Sequence, residues 1–552
     1  MTRIEPLMNL TKIVAMLLLF THPAFNQEYN LVLDRFQYEL VEKQLNTPGL
    51  NIHTAFRPLR INDIRRVVLP DTAAGIHEPQ FKFARSWAGK RIFNEHLLYV
   101  DSASFQLYLD PLFNFEFGKD QLTKNNTYTN SRGLQVFGNI GKQFSFYTCV
   151  WENQARFVNY VDSFVTKQNV VPAQGRVKPF GTGGYDYAWV AGYISYSLSR
   201  FFNFQAGNDR QFIGDGYRSL LLSDNAFNFP YLKITTTLWK LRYTNLFTAF
   251  QNVGSASNSG LGAYQKKYAS FHHLSLNLGK RFNLGLFEGI VWQSVDTTGQ
   301  RRHFDVNYLN PVIFFRPLEF SLGSPDNALI GMNFKWIFLK NNILYGQLLL
   351  DEFSLHELKA RSGWWGNKYG FQLGIKVFNV FYLKGLSLQS EFNWVRPYTY
   401  GHSAATQTYT HFAQPLAHPL GANFRESVNF IRYRYRRFSV EAKLLLAQYG
   451  ADTLNTQGKM SNVGQNIFLA TSEAFNQPSS VPHIYGNNML QGFKNTIVFT
   501  DLSIAWLINR KTNMRVELGI SRRMQSNERG SKNTNWVFVG IKTALPNRYY
   551  DI

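Results

Sequence analysis

From residue 104 to residue 545 the chain repeats one unit, a segment of roughly ten to fourteen residues whose side chains alternate in polarity and which ends in turn residues. About eighteen such segments can be read, near 104–118, 128–141, 143–158, 184–198, 201–210, 231–239, 240–250, 268–279, 281–294, 327–339, 342–352, 368–378, 386–396, 424–436, 438–449, 492–508, 512–522 and 534–545. In one, Tyr369, Phe371, Leu373, Ile375 and Val377 alternate with Gly370, Gln372, Gly374 and Lys376. Ile330 to Phe338, Met514 to Ile520 and Leu274 to Leu278 alternate in the same way. A period of two puts successive side chains on opposite faces of a strand, here one apolar and one polar. A soluble sandwich would alternate too, so the pattern alone leaves two architectures open.

The connections separate them. Those after odd-numbered segments read as long and those after even-numbered ones as short, the short ones including Gly141-Lys142-Gln143, Trp239-Lys240, Gly279-Lys280-Arg281, Arg436-Arg437 and Asn509-Arg510-Lys511. Strict sorting of turns to one end and loops to the other belongs to transmembrane barrels, which have short periplasmic turns and an even strand number. The expected fold is therefore an all-β membrane protein, an antiparallel transmembrane β-barrel of about 18 strands. Composition agrees: aromatic residues are 16% of the chain while its mean hydropathy is −0.24. That pairing suits a wall with only one lipid-facing side and aromatic girdles. No apolar run reaches the ~18 residues of a transmembrane helix.

The start of the chain reads differently. Arg3 and Lys12 precede or flank an apolar run from Ile13 to Phe20, followed by His22, Pro23 and Ala24, which predicts a secretory signal peptide over 1–26. Residues 27–101 show no barrel alternation and carry two amphipathic stretches, 34–45 and 61–69, so this part is expected to be a small periplasmic region with short helices. Residues 102–552 form the barrel with its long external loops. The one cysteine, Cys149, supports neither a disulfide framework nor a lipid-modified N-terminus. Of the net charge of +22, about half falls on the short turns, at Lys142, Arg200, Lys240, Lys280, Arg281, Lys340, Lys384, Arg436, Arg437, Arg510 and Lys511. A basic rim suits outer-membrane lipid head groups, worth about 1 kcal/mol per residue near an anionic surface, and calls for no nucleic acid.

Four long connections concentrate turn residues, Arg, Asp, His and Trp, and topology puts them at one mouth. The first, DRQFIGDGYRSLLLSDNAFNFP, holds Asp209, Arg210, Asp215, Arg218 and Asp224, which either contact a polar ligand or satisfy loop backbone. YLNPVIFFRPLEFSLGSPDN supplies Arg316, and its prolines forbid a central strand. FSLHELKARSGWWGNK reads as a short helix ending at Gly363, with Trp364 and Trp365 as platforms for sugar rings or as interface-belt residues. The loop with His402, His411 and His418 lacks a compact metal spacing, and no nucleophile motif places a catalytic residue, so neither metal, cofactor nor enzyme activity is expected. Arg432, Arg434 and Arg436 share one strand face, opposite Ile431, Tyr433 and Tyr435, and either attract an anionic polymer or pair with lumen acids such as Glu441 and Glu517.

The segments QFIGDGYRSLLLSDNAFNFPYL, YLNPVIFFRPLEFSLGSPDNALIG, GWWGNKYGFQLG and FAQPLAHPLGANFRE, with the ending GIKTALPNRYYDI, resemble those of the Wzi-like capsule-assembly family of outer-membrane barrels, in the Bacteroidota branch that includes gliding-motility-associated members. The resemblance covers most of the chain after the signal peptide. It implies an eighteen-stranded barrel with a small helical periplasmic part that acts as a surface lectin. The last residue, Ile552, departs from the aromatic ending common in such barrels. The expected function is a non-enzymatic barrel in the outer membrane of a Gram-negative bacterium, binding or organising an anionic surface polysaccharide through its loops. Arg210, Arg218, Arg316 and Arg434 would then meet sugar carboxylates, with His411, Asp209, Asp215 and Asp224 beside them. The alternatives are a part of a gliding-motility or adhesion apparatus meeting other surface-machinery proteins, and a porin.

Overall fold

The computed structural model describes residues 29–65, 85–102, 104–253, 264–295, 299–311, 326–454, 460–471 and 484–552. The signal peptide expected at 1–26 lies outside them. Every predicted barrel strand is present: β1 (Phe105–Asp120), β2 (Asn126–Ile140), β3 (Phe144–Arg156), β4 (Gly184–Ser197), β5 (Phe202–Asp209), β6 (Phe229–Leu238), β7 (Leu241–Asn252), β8 (Gln265–Leu278), β9 (Phe282–Gln293), β10 (Asn327–Phe338), β11 (Asn342–Leu350), β12 (Tyr369–Phe378), β13 (Leu386–Val395), β14 (Phe424–Tyr435), β15 (Phe438–Ala451), β16 (Phe493–Asn509), β17 (Met514–Asn527) and β18 (Gly530–Lys542). Each pairs antiparallel with the next, and β18 returns to β1 from Trp536↔Asp120 to Lys542↔Asn114, closing an 18-stranded barrel. Where β18 stops short, the strand Leu98–Asp101 covers the remaining edge of β1 at Gln106–Leu109, so the wall has no free edge there.

The faces fall as the alternation requires. Leu373, Leu518 and Ile431 are about half exposed on the outside, while Gln372, Arg515 and Arg432 are buried inside. Only lipid can cover such an outer apolar band. Two of the expected long loops are in fact tight: β1 joins β2 through 121–125, and β17 joins β18 through 528–529. The ladders run past the predicted strand ends, as in Lys119↔Asn126 and Ser526↔Ser531. These rungs are polar on both faces, so alternation is lost where hydrogen bonding persists.

The interior is also less polar than expected. Leu246, Phe250, Phe271, Phe287, Leu329 and Leu349 point inward from β7 to β11 and pack with Leu220, Leu221 and Leu222 of the connection after β5. An inward face that meets protein instead of water becomes part of a core.

The N-terminal segment fills the opposite, short-turn end. Its helix α1 (Arg35–Leu45) begins at Asp34, whose carboxylate accepts from Phe36 N at 3.0 Å. Tyr38 and Leu45 on α1 pack with Leu33, Ile52, Leu59 and Ile64 and with Phe212, a small core of the segment's own. Toward the wall the contacts are charged: Arg35 donates to Glu441 at 2.5 Å, Arg432 lies 2.9 Å from Glu39, and Lys376 pairs with Glu42. Asn341 donates to Lys43 O at 3.1 Å and Gly49 N donates to Lys280 O at 2.8 Å, which ties the segment to two short turns. The second predicted helix spans Ile61–Arg65, the remainder of 61–69 lying outside the described residues. A further helix, Trp87–Phe93, was not legible.

Candidate functional site

The connection 210–228 does not stand out from the mouth but descends into the lumen. Phe212 and Ile213 pair with Arg57 and Phe56, and Gly214 N donates to Ala55 O at 2.8 Å, so it meets the N-terminal segment coming from the other end. At Gly216 a Cβ would sit 2.3 Å from Glu391 Oε2, which is why glycine stands there. The close approach lets one Glu391 carboxylate accept from Tyr217 N at 2.7 Å and Arg218 N at 3.0 Å.

The sequence-predicted polar residues of this stretch are engaged inside. Arg218 donates to Glu426 at 3.1 Å and lies 3.3 Å from Asp551 at the end of the chain. Asp551 also accepts from Lys443 at 3.0 Å and from the Tyr217 hydroxyl at 2.6 Å. Burial by itself would push the Asp551 carboxyl up, but Arg218 and Lys443 more than offset it and hold the group below the usual carboxylate range. Arg210 donates to Asp224 O, Asn547 O and Ala173 O. Asp224 accepts from Tyr549 at 2.7 Å and Asn547 at 2.9 Å, and Asp215 accepts from Thr54 at 2.6 Å. Asp209 is half-buried at the end of β5 and accepts from Arg210 N.

Of the two roles open to these residues, ligand contact or holding the loop, the buried Arg210, Asp215, Arg218 and Asp224 are engaged in the second. They join three pieces of chain, the N-terminal segment, the inserted connection and the tail 543–552, into one plug. Arg434 faces the lumen near the other end, over the Phe36 ring at 4.4 Å. Arg316 lies outside the described residues. Sequence reading missed Glu391, Glu426, Lys443, Asn547 and Asp551, which hold the plug. The polar ending NRYYDI, placed after the last apolar alternation, was the available signal.

Above the plug the connection 396–423 forms a roof. Tyr400 and Tyr409 donate to Leu220 O and Leu221 O at 2.8 and 2.6 Å. His411 accepts from Gln251 N at 3.0 Å and is buried, which lowers its pKa to about 3 and keeps the ring neutral. His418 meets Glu426 at 2.7 Å, while His402 sits apart beside Ser403. Among the described residues no group of His, Cys, Asp and Glu is arranged to hold a metal ion.

Trp364 and Trp365 reach the outer surface. The predicted helix forms over Leu355–Ala360 and ends at Arg361, which is in the left-handed region, followed by Gly363 at φ +67. A Cβ on Gly363 would stand 2.7 Å from Asn487 N, so glycine admits the segment 484–487 alongside. Trp365 N donates to Ile484 O at 2.9 Å and Gly486 N to Ser362 O at 2.8 Å. The two indoles, 6.2 Å apart and half-buried, lie beside Tyr485, which is 53% exposed.

Roof and helix-bearing loop meet at Asp351, whose carboxylate accepts from Tyr400 N at 2.7 Å. Burial raises its pKa to about 7 despite Lys368. A carboxyl raised this way holds a proton in the folded state that an unfolded chain has lost above about pH 4, so this joint weakens as pH rises from about 4 to 7. Asp351→Asn keeps the acceptor and removes the charge. Hydrogen exchange at the Tyr400 amide is expected to speed up between pH 5 and 8 in the natural protein, after correction for intrinsic exchange, and to show no such trend in the variant.

No protein-family model matches the chain, and no curated protein matches it. Among solved structures it is similar to Wzi, described as an outer membrane protein involved in group 1 capsule assembly in Escherichia coli and as a carbohydrate-binding β-barrel, at 13% identity and TM-score 0.52 over 94% of this chain and 100% of that one. It is also matched with Pseudomonas aeruginosa OccK7 at 8% identity and TM-score 0.42, covering 81% of this chain and 100% of that one. OprD from Pseudomonas aeruginosa follows at 9% identity and TM-score 0.41, covering 80% of this chain and 96% of that one. The likeness to Wzi is one of fold.

Proposed function

We propose that the chain is a non-enzymatic outer-membrane barrel whose external surface binds and organises exopolysaccharide, with the short-turn end and the N-terminal segment facing the periplasm. The observation that carries this reading is a lumen occupied by inserted chain under a built roof. Residues 210–228, the tail and α1 occupy the interior through buried pairs, so the long connections serve as a rigid surface and not as the vestibule of a channel. The fold shared with a carbohydrate-binding barrel supports the same direction.

The sugar contacts belong to Trp364 and Trp365, whose faces suit the CH faces of sugar rings, and not to Arg210 or Arg218, which are buried inside the barrel. Purified folded barrel is expected to bind the producing cell's own exopolysaccharide. Trp364→Ala/Trp365→Ala should weaken that binding about tenfold, since each aromatic contact is worth about 0.5–1.5 kcal/mol beyond its area. Cells lacking the protein but keeping normal amounts of bound and shed polysaccharide would refute the proposal.

A further inference from the structure

A cavity of about 880 Å³ remains between α1, the inner faces of β12 to β18 and the tail. It lies at the short-turn end, apart from the tryptophan surface, and its volume is within the ~300–1,000 Å³ of small-ligand clefts. Its acids on the α1 side are already taken: Glu39 and Glu441 by Arg35 and Arg432, Glu42 by Lys376. Its bases there are not. Lys43, Lys384 and Arg436 form no ion pair among the described residues, and Arg434 reaches only Glu39, at 4.0 Å. Arg434 N donates to Gly385 O at 3.0 Å, which ties its strand to the turn that carries Lys384, and both residues line the cavity. Deeper in, Arg432 is 9% exposed and its Nη2 has no hydrogen-bond partner. Arg432 is already paired with Glu39 at 2.9 Å and Glu441 at 2.7 Å, so the charge left open to a guest is that of the bases nearer the turn.

We infer that this cavity is a second ligand site, taking the carboxylate of an acidic oligosaccharide on Arg434 and Lys384. The rest of the lining fits a sugar better than a peptide. Ser387 and Ser439 offer hydroxyl groups, and Leu386 and Leu388 line the same side with apolar surface. Charge-assisted pairs with planar guanidinium give the carboxylate its orientation.

Isothermal titration of the detergent-solubilised full chain with trigalacturonate tests the inference. Binding is expected that maltotriose does not show, weakened about tenfold or more by Lys384→Gln or Arg434→Gln and unchanged by Trp364→Ala/Trp365→Ala. Lys384 is an exposed turn residue, so its variant reports on binding without disturbing the barrel. Absence of binding, equal binding by the Lys384 and Arg434 variants, or equally tight binding of hexaglutamate would overturn it. A failure of the external reading shows separately, as exopolysaccharide capture that survives loss of both tryptophans.

Discussion

Truncating the chain after Leu545 will turn a silent barrel into a conducting one. The residues removed, 546–552, are not part of the wall: β18 ends at Lys542, and Thr543 N to Phe113 O and Ala544 N to Thr512 O anchor what remains. What is lost lies inside. Tyr549 and Asn547 release Asp224, Asn547 releases Leu33 and Arg35, and Asp551 releases Arg218, Lys443 and Tyr217. With neutral bonds worth about 0.5–1.5 kcal/mol and charged ones about 1.5–3, the inserted connection loses on the order of 5 kcal/mol of attachment. The tail is also one wall of the cavity of about 880 Å³, which its removal enlarges.

Planar-bilayer recordings should therefore show no steady current for the full chain and a steady open level for the truncated one. Silence in both would mean that the tail only lines a lumen sealed by other residues. Acid should not mimic the truncation. A carboxyl held low in the folded state contributes stability above its unfolded pKa of about 3.9 that is lost only as pH falls through the lower, folded value. For Asp551 that window lies below about pH 4, so closure is expected to persist from pH 5 to 8.

The wall was legible because two independent rules agree on it. Period-two alternation set the faces of β8, β10, β12 and β17, and the sorting of short basic turns to one end distinguished a barrel from a sandwich. Ile552 lies beyond the last strand, on the inward tail, where its backbone oxygen accepts from Arg523 Nε at 2.9 Å. The plug was illegible for a reason of distance. Arg218 and Glu426 are far apart in the chain, and nothing local to DGYRSLLLSDN distinguishes an exposed turn region from one folded inward. The hint lay elsewhere, in strands apolar on both faces. In FNLGLFEGIVWQ, Phe287 and Val291 point in while Ile290 and Trp292 point out, and all four are fully buried. A strand wetted on its inner face has no use for that phenylalanine. Trp87–Phe93 was missed because one short helix has too few turns to show a period.

Replacing Arg218 by alanine should loosen the plug by about 3–5 kcal/mol, the usual consequence of removing one partner of a buried charge pair. Arg218 is 2% exposed, and without it Glu426 and Asp551 face each other with no guanidinium between them. The wall should survive, because its strand ladders do not involve this side chain. The change will thus appear as earlier urea-dependent proteolysis of the connection 210–228 while the barrel keeps its heat-resistant, folded migration on a gel. Glu426→Gln alone removes one carboxylate and keeps an oxygen toward His418, so its cost should be smaller. In the double variant the neutral amide no longer needs a counter-charge, and the cost should fall below the sum of the two single changes by more than 1 kcal/mol. Strict additivity would mean that Arg218 acts through its packing over the rings of Tyr217 and Tyr549, at 4.8 and 5.5 Å, and not through charge. Arg218→Lys then decides between the two: an ammonium restores the charge but not the planar fork, and should recover part of the stability only if the ion pairs hold the plug.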